Sequence, residues 1–178
     1  MKNLNDSNEI SRRSPIVSAS HLAEGSLPSL SEIEFALTMT NNAFHRWMVR
    51  CMAAAGQPGL SPIDVLILHS VRHRDREKTL ADLGLVLNIE DIHVVSYSVK
   101  KLASLGLVRT GRRNKEKTVV TTPKGYALCE RYRETRNALL VEAVQAAHFD
   151  PQDLSRVAAV LRALSGQYDQ AARTATAV

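Results

Sequence analysis

Apolar residues recur at helical spacing along most of this chain. From residue 31 to residue 55 they lie mostly three, four or seven positions apart, which predicts a helix with one buried face. Ser31 and Glu34 have the spacing of a capping box, so we expect Ser31 to be the N-cap of this helix. Gly56 and Pro58 then end it. The predicted buried face consists of Ile33, Leu37, Phe44, Met48, Cys51 and Ala55.

Three shorter helices are predicted between residues 61 and 105. Ser61 with Pro62 begins the first, since proline at the first helical position costs no hydrogen bond. After a charged connection at residues 72–78, Thr79 and Asp91 each precede a short apolar stripe and are predicted N-caps. The expected buried positions are Ile63, Leu66, Ile67 and Val71 in the first helix, Leu80, Leu83 and Leu87 in the second, and Ile92, Val95, Val99 and Leu102 in the third.

The pattern changes after Gly106, which lets the chain leave the third short helix at positive φ. Residues 108–109 and 118–121 are predicted to pair as strands around a basic turn, because β-branched residues fill the second of them. A long helix then begins near Pro123, and the last helix begins near Pro151. This order predicts a mostly α fold with a small β-hairpin. It is the order of a winged helix-turn-helix, with the basic turn as the wing, between flanking dimerisation helices.

The same pattern divides the chain into four segments. Residues 1–30, rich in Ser and Asn, are predicted to form a mobile N-terminal arm. Residues 31–60 form a predicted dimerisation helix, residues 61–122 the winged helix-turn-helix DNA-binding domain, and residues 123–178 the C-terminal dimerisation helices. The apolar stripes of the flanking helices are longer than the small central domain can cover, so packing against a second copy is favoured. A helical cap folded onto the same monomer is the alternative.

The net charge is confined to the central segment. The 178 residues include 23 Lys and Arg against 18 Asp and Glu. Residues 61–125 hold 12 basic and 7 acidic residues, whereas residues 1–60 balance at 5 against 5 and residues 126–178 at 6 against 6. The whole excess of +5 therefore lies where the helix-turn-helix and the wing are predicted. This distribution favours a polyanionic partner such as double-stranded DNA.

The third short helix is the predicted recognition helix, because its outward face is polar and an α-helix fits the major groove. The residues of that face are candidates for base contacts. They are His93, Val94, Ser96, Tyr97 and Lys100. The wing adds five cations within nine residues, which can contact phosphates or a narrow minor groove. They are Arg109, Arg112, Arg113, Lys115 and Lys117. The alternatives are a solvated helix face and a solvated basic turn.

Other classes of function find little support. The sequence has no Gly-rich phosphate loop and no GxSxG elbow, so we expect neither an enzyme nor a cofactor. His69 and His73 have a spacing that can hold zinc, but no third ligand is evident and a solvated pair is favoured. Cys51 and Cys129 lie on apolar stripes, where thiols are usually inert. No apolar run approaches the roughly 20 residues that span a bilayer, and the N-terminal residues lack a hydrophobic signal region. We therefore expect no membrane partner and a cytoplasmic location.

Three segments, in this order, resemble the MarR family of transcription regulators: LSPIDVLIL, DIHVVSYSVKKLASLGLV and TTPKG. The resemblance covers about residues 31–172. It implies a homodimer that binds a palindromic operator, often as a repressor and often released by a small ligand. An effector pocket between the dimerisation helices and the DNA-binding domain would lie near Phe44, Trp47, Met48 and Leu66, residues that plain core packing also explains.

The wing departs from the family pattern in one respect. The family's wing usually carries an Asp followed by Arg, which order the tip through an ion pair, whereas the matching stretch here is Arg113, Asn114 and Lys115. We therefore expect the wing to hold phosphates through its charge, and the recognition helix to determine the sequence that is bound.

The remaining alternative is a winged-helix module that binds a protein partner and not DNA. A protein-docking wing has no need to concentrate the entire net charge of +5. The charge distribution therefore favours a DNA-binding transcription regulator.

Overall fold

The structure is a computed structural model that describes residues 14–177. Residues 1–13 of the predicted arm lie outside the described residues. Within the described range the chain is mostly helical with one small antiparallel sheet, which confirms the predicted fold class. The helices are α1 (Pro28–Ala54), α2 (Pro62–Arg72), α3 (Leu80–Leu87), α4 (Ile92–Ser104), α5 (Pro123–Arg136), α6 (Glu142–Ala146) and α7 (Pro151–Ala175). The strands are β1 (Lys78–Thr79), β2 (Val108–Arg113) and β3 (Glu116–Thr121), in the spatial order β1-β3-β2.

Two compact units divide the chain, and the boundary between Glu130 and Arg131 falls inside α5. In the first unit, the C-terminal half of α1, the helices α2 to α4, the sheet and the start of α5 share one aliphatic core. Burial of each large aliphatic side chain contributes about 1.5–3 kcal/mol, so this core dominates the stability of the unit. Its most deeply buried residues are Met48, Met52, Val65, Ile67, Leu68, Leu83, Val95, Val99, Leu102, Leu107, Val119 and Leu128.

The start of α1 differs from the prediction. The helix begins at Pro28, with Leu27 at the N-cap position, so Ser31 lies inside the first turn and the predicted capping box is wrong. The Ser31 hydroxyl donates a hydrogen bond to the Leu22 carbonyl. Phe44, expected on the buried face, is 46 % exposed. Proline is well tolerated in the first turn of a helix, which explains the earlier start.

Capping boxes at the starts of α2 and α3 fix both helices. The Ser61 hydroxyl accepts a hydrogen bond from the Asp64 amide, and the Asp64 carboxylate accepts one from the Ser61 amide at 2.8 Å. Thr79 and Asp82 repeat this arrangement at α3. The predicted caps are confirmed, and their Asp partners at the third helical position complete them.

A buried lysine joins α2 to the sheet. Lys78 is 6 % exposed, and its ammonium group donates hydrogen bonds to the carbonyls of Val71 at 3.0 Å, His73 at 2.5 Å and Arg76 at 3.4 Å. A cation at the C-terminal end of a helix also interacts favourably with the helix dipole. Lys78 was predicted to lie in a charged connection, but it forms with Thr79 the two-residue strand β1.

The second unit contains the rest of α5, a π-helical turn at Asn137–Val141, α6 and α7. Asp150 caps α7 by accepting a hydrogen bond from the Gln152 amide at 2.8 Å. Two residues of the apolar stripe of α7, Leu154 and Val157, are 46 % and 55 % exposed in this single chain. None of the helices within residues 14–177 is long and apolar enough to cross a membrane.

Candidate nucleic-acid interface

The turn between α3 and α4 holds the recognition helix close to its supporting helix. Asn88 ends α3 with φ of 53°, and Asp91 caps α4 by accepting a hydrogen bond from the His93 amide at 2.8 Å. A Cβ on Gly84 of α3 would lie 3.1 Å from the Ile89 carbonyl oxygen, so glycine permits the close approach of the turn. The two helices thus form the predicted helix-turn-helix.

The outward face of α4 carries the five candidates for base contacts. Tyr97 is 74 % exposed and Val94 is 41 % exposed. His93 and Lys100 are exposed as well, whereas Ser96 is half-buried. These positions form one polar, accessible side of the helix, on which side chains can reach base edges in a major groove.

The inward face of α4 differs from the prediction at two positions, Ile92 and Ser98. Ile92 was expected to be buried but is 40 % exposed, because it lies in the first turn of the helix, beyond the edge of the core. Ser98 is fully buried although it is polar, and the apolar pattern did not identify it. Its hydroxyl donates a hydrogen bond to Asp64 at 2.7 Å, which is why a polar side chain is tolerated there.

The C-terminal end of α4 has the geometry of a Schellman motif. Gly106 adopts φ of 71°, as predicted, and its amide donates to the Ala103 carbonyl at 2.9 Å. The Leu107 amide donates to the Leu102 carbonyl at 2.9 Å. This motif turns the chain from the recognition helix directly into the first strand of the wing.

The TTPKG segment fixes the exit from the wing. The Thr122 hydroxyl donates to the Gly106 carbonyl at 2.7 Å and accepts a hydrogen bond from the Gly125 amide at 3.1 Å. A Cβ on Gly125 would overlap the carbonyl oxygen of Leu107, so only glycine fits. The entry to the wing and the exit from it are therefore tied together at one point.

The wing is a tight hairpin, longer than the sequence predicted. Its two loop residues, Asn114 and Lys115, have φ of 50° and 70°, the backbone conformation of a type I′ turn. Arg112 lies directly opposite Lys117 in the ladder, and like charges in this position repel. An open groove of about 510 Å³ runs beside them. An anion bound in this groove would relieve the repulsion.

The five predicted wing cations surround this hairpin. Arg109, Arg112, Arg113 and Lys115 are exposed, and Lys117 is half-buried. All five lie on a strand or at the tip of the hairpin, a position that suits contact with phosphates.

The connection between α2 and β1 holds two further cations, Arg74 and Arg76, which sequence reasoning did not single out. Hydrogen bonds from Thr79 lower the pKa of Asp82, and the charges of Arg76 and Arg113 lower it further. Arg76, in the connection between α2 and β1, thus lies in the same region as Arg113 of the wing. Arg74, two residues earlier, is exposed with φ of 61°. The basic run at residues 72–78 was the signal that could have identified both.

The titratable residues considered for other chemistry show no arrangement for it. Within the described residues no group of His, Cys, Asp and Glu has the geometry of a metal site. His69 is half-buried rather than solvated, and burial lowers its pKa. Cys51 and Cys129 are both buried, and burial raises the pKa of the Cys129 thiol to about 11. A thiol with this pKa is a poor nucleophile at neutral pH.

A cavity of about 610 Å³ lies between α2, the 3₁₀ turn at His73–Asp75 and α3. Of the four residues near which an effector pocket was predicted, Leu66 lines this cavity, whereas Met48 is part of the core and Phe44 is exposed. Apolar and basic side chains line this cavity, together with that of Asp82. Its lining includes Leu66, Leu83, Leu85, Val86, His69 and Arg76.

Comparison with known proteins agrees with this geometry. Residues 60–125 match a family model described as a winged helix DNA-binding domain. Curated protein sequences give no significant match. Solved structures with a similar fold include AbfR of Staphylococcus epidermidis, at 15% identity and a TM-score of 0.65, covering 81% of this chain and 94% of that one. A mutant of MarR from E. coli in complex with operator DNA is similar at 16% identity and a TM-score of 0.63, covering 79% and 99%. A MarR family regulator from Rhodococcus sp. RHA1 is similar at 14% identity and a TM-score of 0.59, covering 75% and 91%.

The central part of this chain therefore has the fold of a winged helix domain. Between 75% and 82% of the chain is similar in fold to MarR family transcription regulators, and at the level of the fold this confirms the resemblance noted in the sequence.

Proposed function

We propose that this protein is a MarR-type transcription regulator that binds double-stranded DNA as a homodimer on a palindromic operator. The observation that supports this proposal most strongly is the distribution of net charge along the chain. The entire net excess of +5 lies on residues 61–125, which form the recognition helix, the wing and their supports. A surface of this kind releases counterions from DNA, and this release drives binding that weakens steeply with salt.

The two parts of the interface have different roles in this proposal. The outward residues of α4, from His93 to Lys100, contact base edges in the major groove. The wing cations, Arg109 to Lys117, contact phosphates. Arg112 and Lys117 support the second role, because their mutual repulsion falls when an anion lies between them.

Exposed apolar residues on the flanking helices support the homodimer. On α1, Met39 and Phe44 are 51 % and 46 % exposed, and on α7 Leu154, Val157 and Val160 are each at least 46 % exposed. Clusters of this kind on long helices usually mark an interface. Two recognition helices about 34 Å apart would then face successive major grooves of a palindrome.

The cavity between α2 and α3 supports a ligand response. Its apolar and basic lining residues suit a small anion with an apolar body. Because α3 supports the recognition helix, a ligand bound there changes the DNA affinity if it prefers one position of α3. Release of the operator by such a ligand would make the protein a repressor.

Selection of bound fragments from random or genomic DNA tests the proposal, followed by affinity measurements across a range of salt concentrations. We expect a palindromic consensus and a steep decrease of affinity with salt. Tyr97→Ala should change which sequence is preferred, whereas the double substitution Arg112→Ala with Arg113→Ala should weaken all sequences similarly. Absence of salt-dependent DNA binding would leave the protein-docking module as the better explanation.

Two controls make this experiment specific. The double substitution Arg162→Ala with Arg173→Ala on α7 removes the same charge far along the sequence from the wing, so it should leave the salt slope unchanged. Sedimentation at micromolar protein concentration tests the dimer separately, and a monomer mass there would refute it.

A further inference from the structure

A buried carboxylate joins the recognition helix to the start of α2. Asp64 is 2 % exposed and accepts hydrogen bonds from the Ser98 hydroxyl at 2.7 Å and from the Lys101 ammonium group at 2.7 Å. The amide and the hydroxyl of Ser61 each donate to the same carboxylate at 2.8 Å. Lys101 also donates to the Gly59 carbonyl at 2.8 Å. We call Ser61, Asp64, Ser98 and Lys101 the Asp64 cluster.

The Asp64 carboxylate has hydrogen-bond donors at both of its oxygens and remains ionised at neutral pH. Burial by itself raises the pKa of Asp64, but hydrogen bonds from Lys101, Ser98 and Ser61 outweigh it, so the net pKa is lowered. A buried carboxylate that accepts this number of hydrogen bonds is well compensated, whereas removal of one donor leaves part of its negative charge without a partner.

The position of the cluster on α4 links it to the proposed base contacts. Ser98 follows Tyr97 directly, and Lys101 follows Lys100. Ser98 and Lys101 are three residues apart and so lie on one side of the helix, one turn from each other. The apolar residues Val95, Val99 and Leu102 would also pack if α4 rotated or slid slightly, because apolar packing is not directional. Hydrogen bonds to one carboxylate at two successive turns do not tolerate such a shift.

We propose that the Asp64 cluster is a positioning device that sets the rotation and the axial position of the recognition helix, and that Asp64, Ser98 and Lys101 thereby determine sequence discrimination without touching DNA. The proposal rests on the proposed function, since it concerns how the helix presents its base-contacting residues. Buried polar groups that fix a single register are well attested in other helical assemblies.

The experiment compares Asp64→Asn with the core substitution Val71→Ala in the full-length protein. Val71 is 1 % exposed and lies at the opposite end of α2, so its truncation destabilises the same helix without touching the cluster. Each variant is titrated with the selected operator and with a random duplex of equal length. The ratio of the two dissociation constants measures discrimination, and the thermal midpoint measures stability.

We expect Asp64→Asn to lower the discrimination ratio roughly tenfold, the loss that follows when one bidentate base contact is misaligned. Affinity for the random duplex and the salt slope should not change, because the wing is intact. Val71→Ala should lower the midpoint but keep the ratio. Lys101→Arg, which retains the positive charge, should lower the discrimination ratio less than Lys101→Met does. Equal ratios in Asp64→Asn and in the wild type, or an equal loss in Val71→Ala, would overturn the proposal.

Hydrogen exchange of the α4 amides separates this proposal from the proposed function. Exchange in α4 should be faster in Asp64→Asn than in Val71→Ala of matched stability, whether or not DNA is present. If the wild type binds no DNA, the proposed function fails, and these exchange rates alone decide whether the cluster fixes the helix. Equal exchange in the two variants refutes the positioning role even if operator binding is normal.

Discussion

Gly125→Ala should destabilise the first unit, although alanine favours helices. The added Cβ overlaps the carbonyl oxygen of Leu107, which accepts hydrogen bonds at 3.1 Å from both the amide and the hydroxyl of Thr122. Relief of the overlap must move α5 away from the start of β2 and weaken these bonds, each worth about 0.5–1.5 kcal/mol. Overpacking adds about 1–3 kcal/mol, and the gain in helix propensity returns about 1 kcal/mol. We expect a net loss of about 2–3 kcal/mol.

The matched control is Gly166→Ala in α7. A Cβ there meets nothing within 4 Å, and the position is about half a turn away from the apolar stripe of that helix. This substitution should be neutral or stabilise the protein by up to about 1 kcal/mol. The assay is urea unfolding followed by circular dichroism at fixed protomer concentration, with fluorescence of Trp47 as a local probe of the first unit. A value for Gly125→Ala within about 0.5 kcal/mol of the wild type would refute the reasoning.

Three further predictions concern charge. Lys78→Met keeps a buried apolar side chain but leaves the carbonyls of Val71, His73 and Arg76 without their donor. The urea midpoint should therefore fall by the equivalent of about 1–3 kcal/mol in the free energy of unfolding. An unchanged midpoint would show that these hydrogen bonds add nothing to the stability. Because burial lowers the pKa of His69 in the folded state, the unfolded chain takes up a proton at this residue at a higher pH than the folded chain does. The free energy of unfolding should therefore decrease as pH falls below about 6.5. His69→Gln should flatten this slope between pH 7 and pH 5, and an unchanged slope would show that His69 is not its source. The double substitution Arg112→Ala with Arg113→Ala should reduce the salt slope of DNA binding by about 2, and an unchanged slope would mean that these cations do not contact phosphates.

Local signals in the sequence predicted the elements of the first unit well. Helix starts at Ser61, Thr79 and Asp91 were identifiable because an N-cap depends on a few neighbouring residues. Gly106 was identifiable because a helix end at positive φ has few alternatives to glycine. Ser31 shows the limit of this reasoning. It has a capping-box pattern, but Pro28 had already begun the helix, and its hydroxyl bonds to a distant carbonyl.

Contacts between residues far apart in the chain could not be predicted. Ser98 is buried because Asp64, 34 positions earlier, accepts its hydrogen bond, and periodicity carries no information on such a pair. β1 is too short to have an alternating pattern, and it exists because Lys78 and Thr79 pair with β3. Gly125 fits a family motif, but its physical reason, the approach of α5 to Leu107, is visible only in three dimensions.

The structure of the wing shows how its tip is held without the Asp–Arg ion pair that is usual in the MarR family. The family's ion pair is missing at the tip, yet the hairpin has a defined two-residue turn, because Asn114 readily adopts the left-handed conformation that a type I′ turn requires. The backbone of the wing is therefore ordered by its turn and its ladder, whereas its cations are long side chains with many rotamers. In the proposed complex such side chains would follow a phosphate wherever the backbone of the duplex lies, so we expect them to supply affinity more than selectivity. The residues of α4 lie on a helix in which Ser98 and Lys101 are bonded to a buried carboxylate, so we expect discrimination between sequences to depend on that helix in the proposed complex.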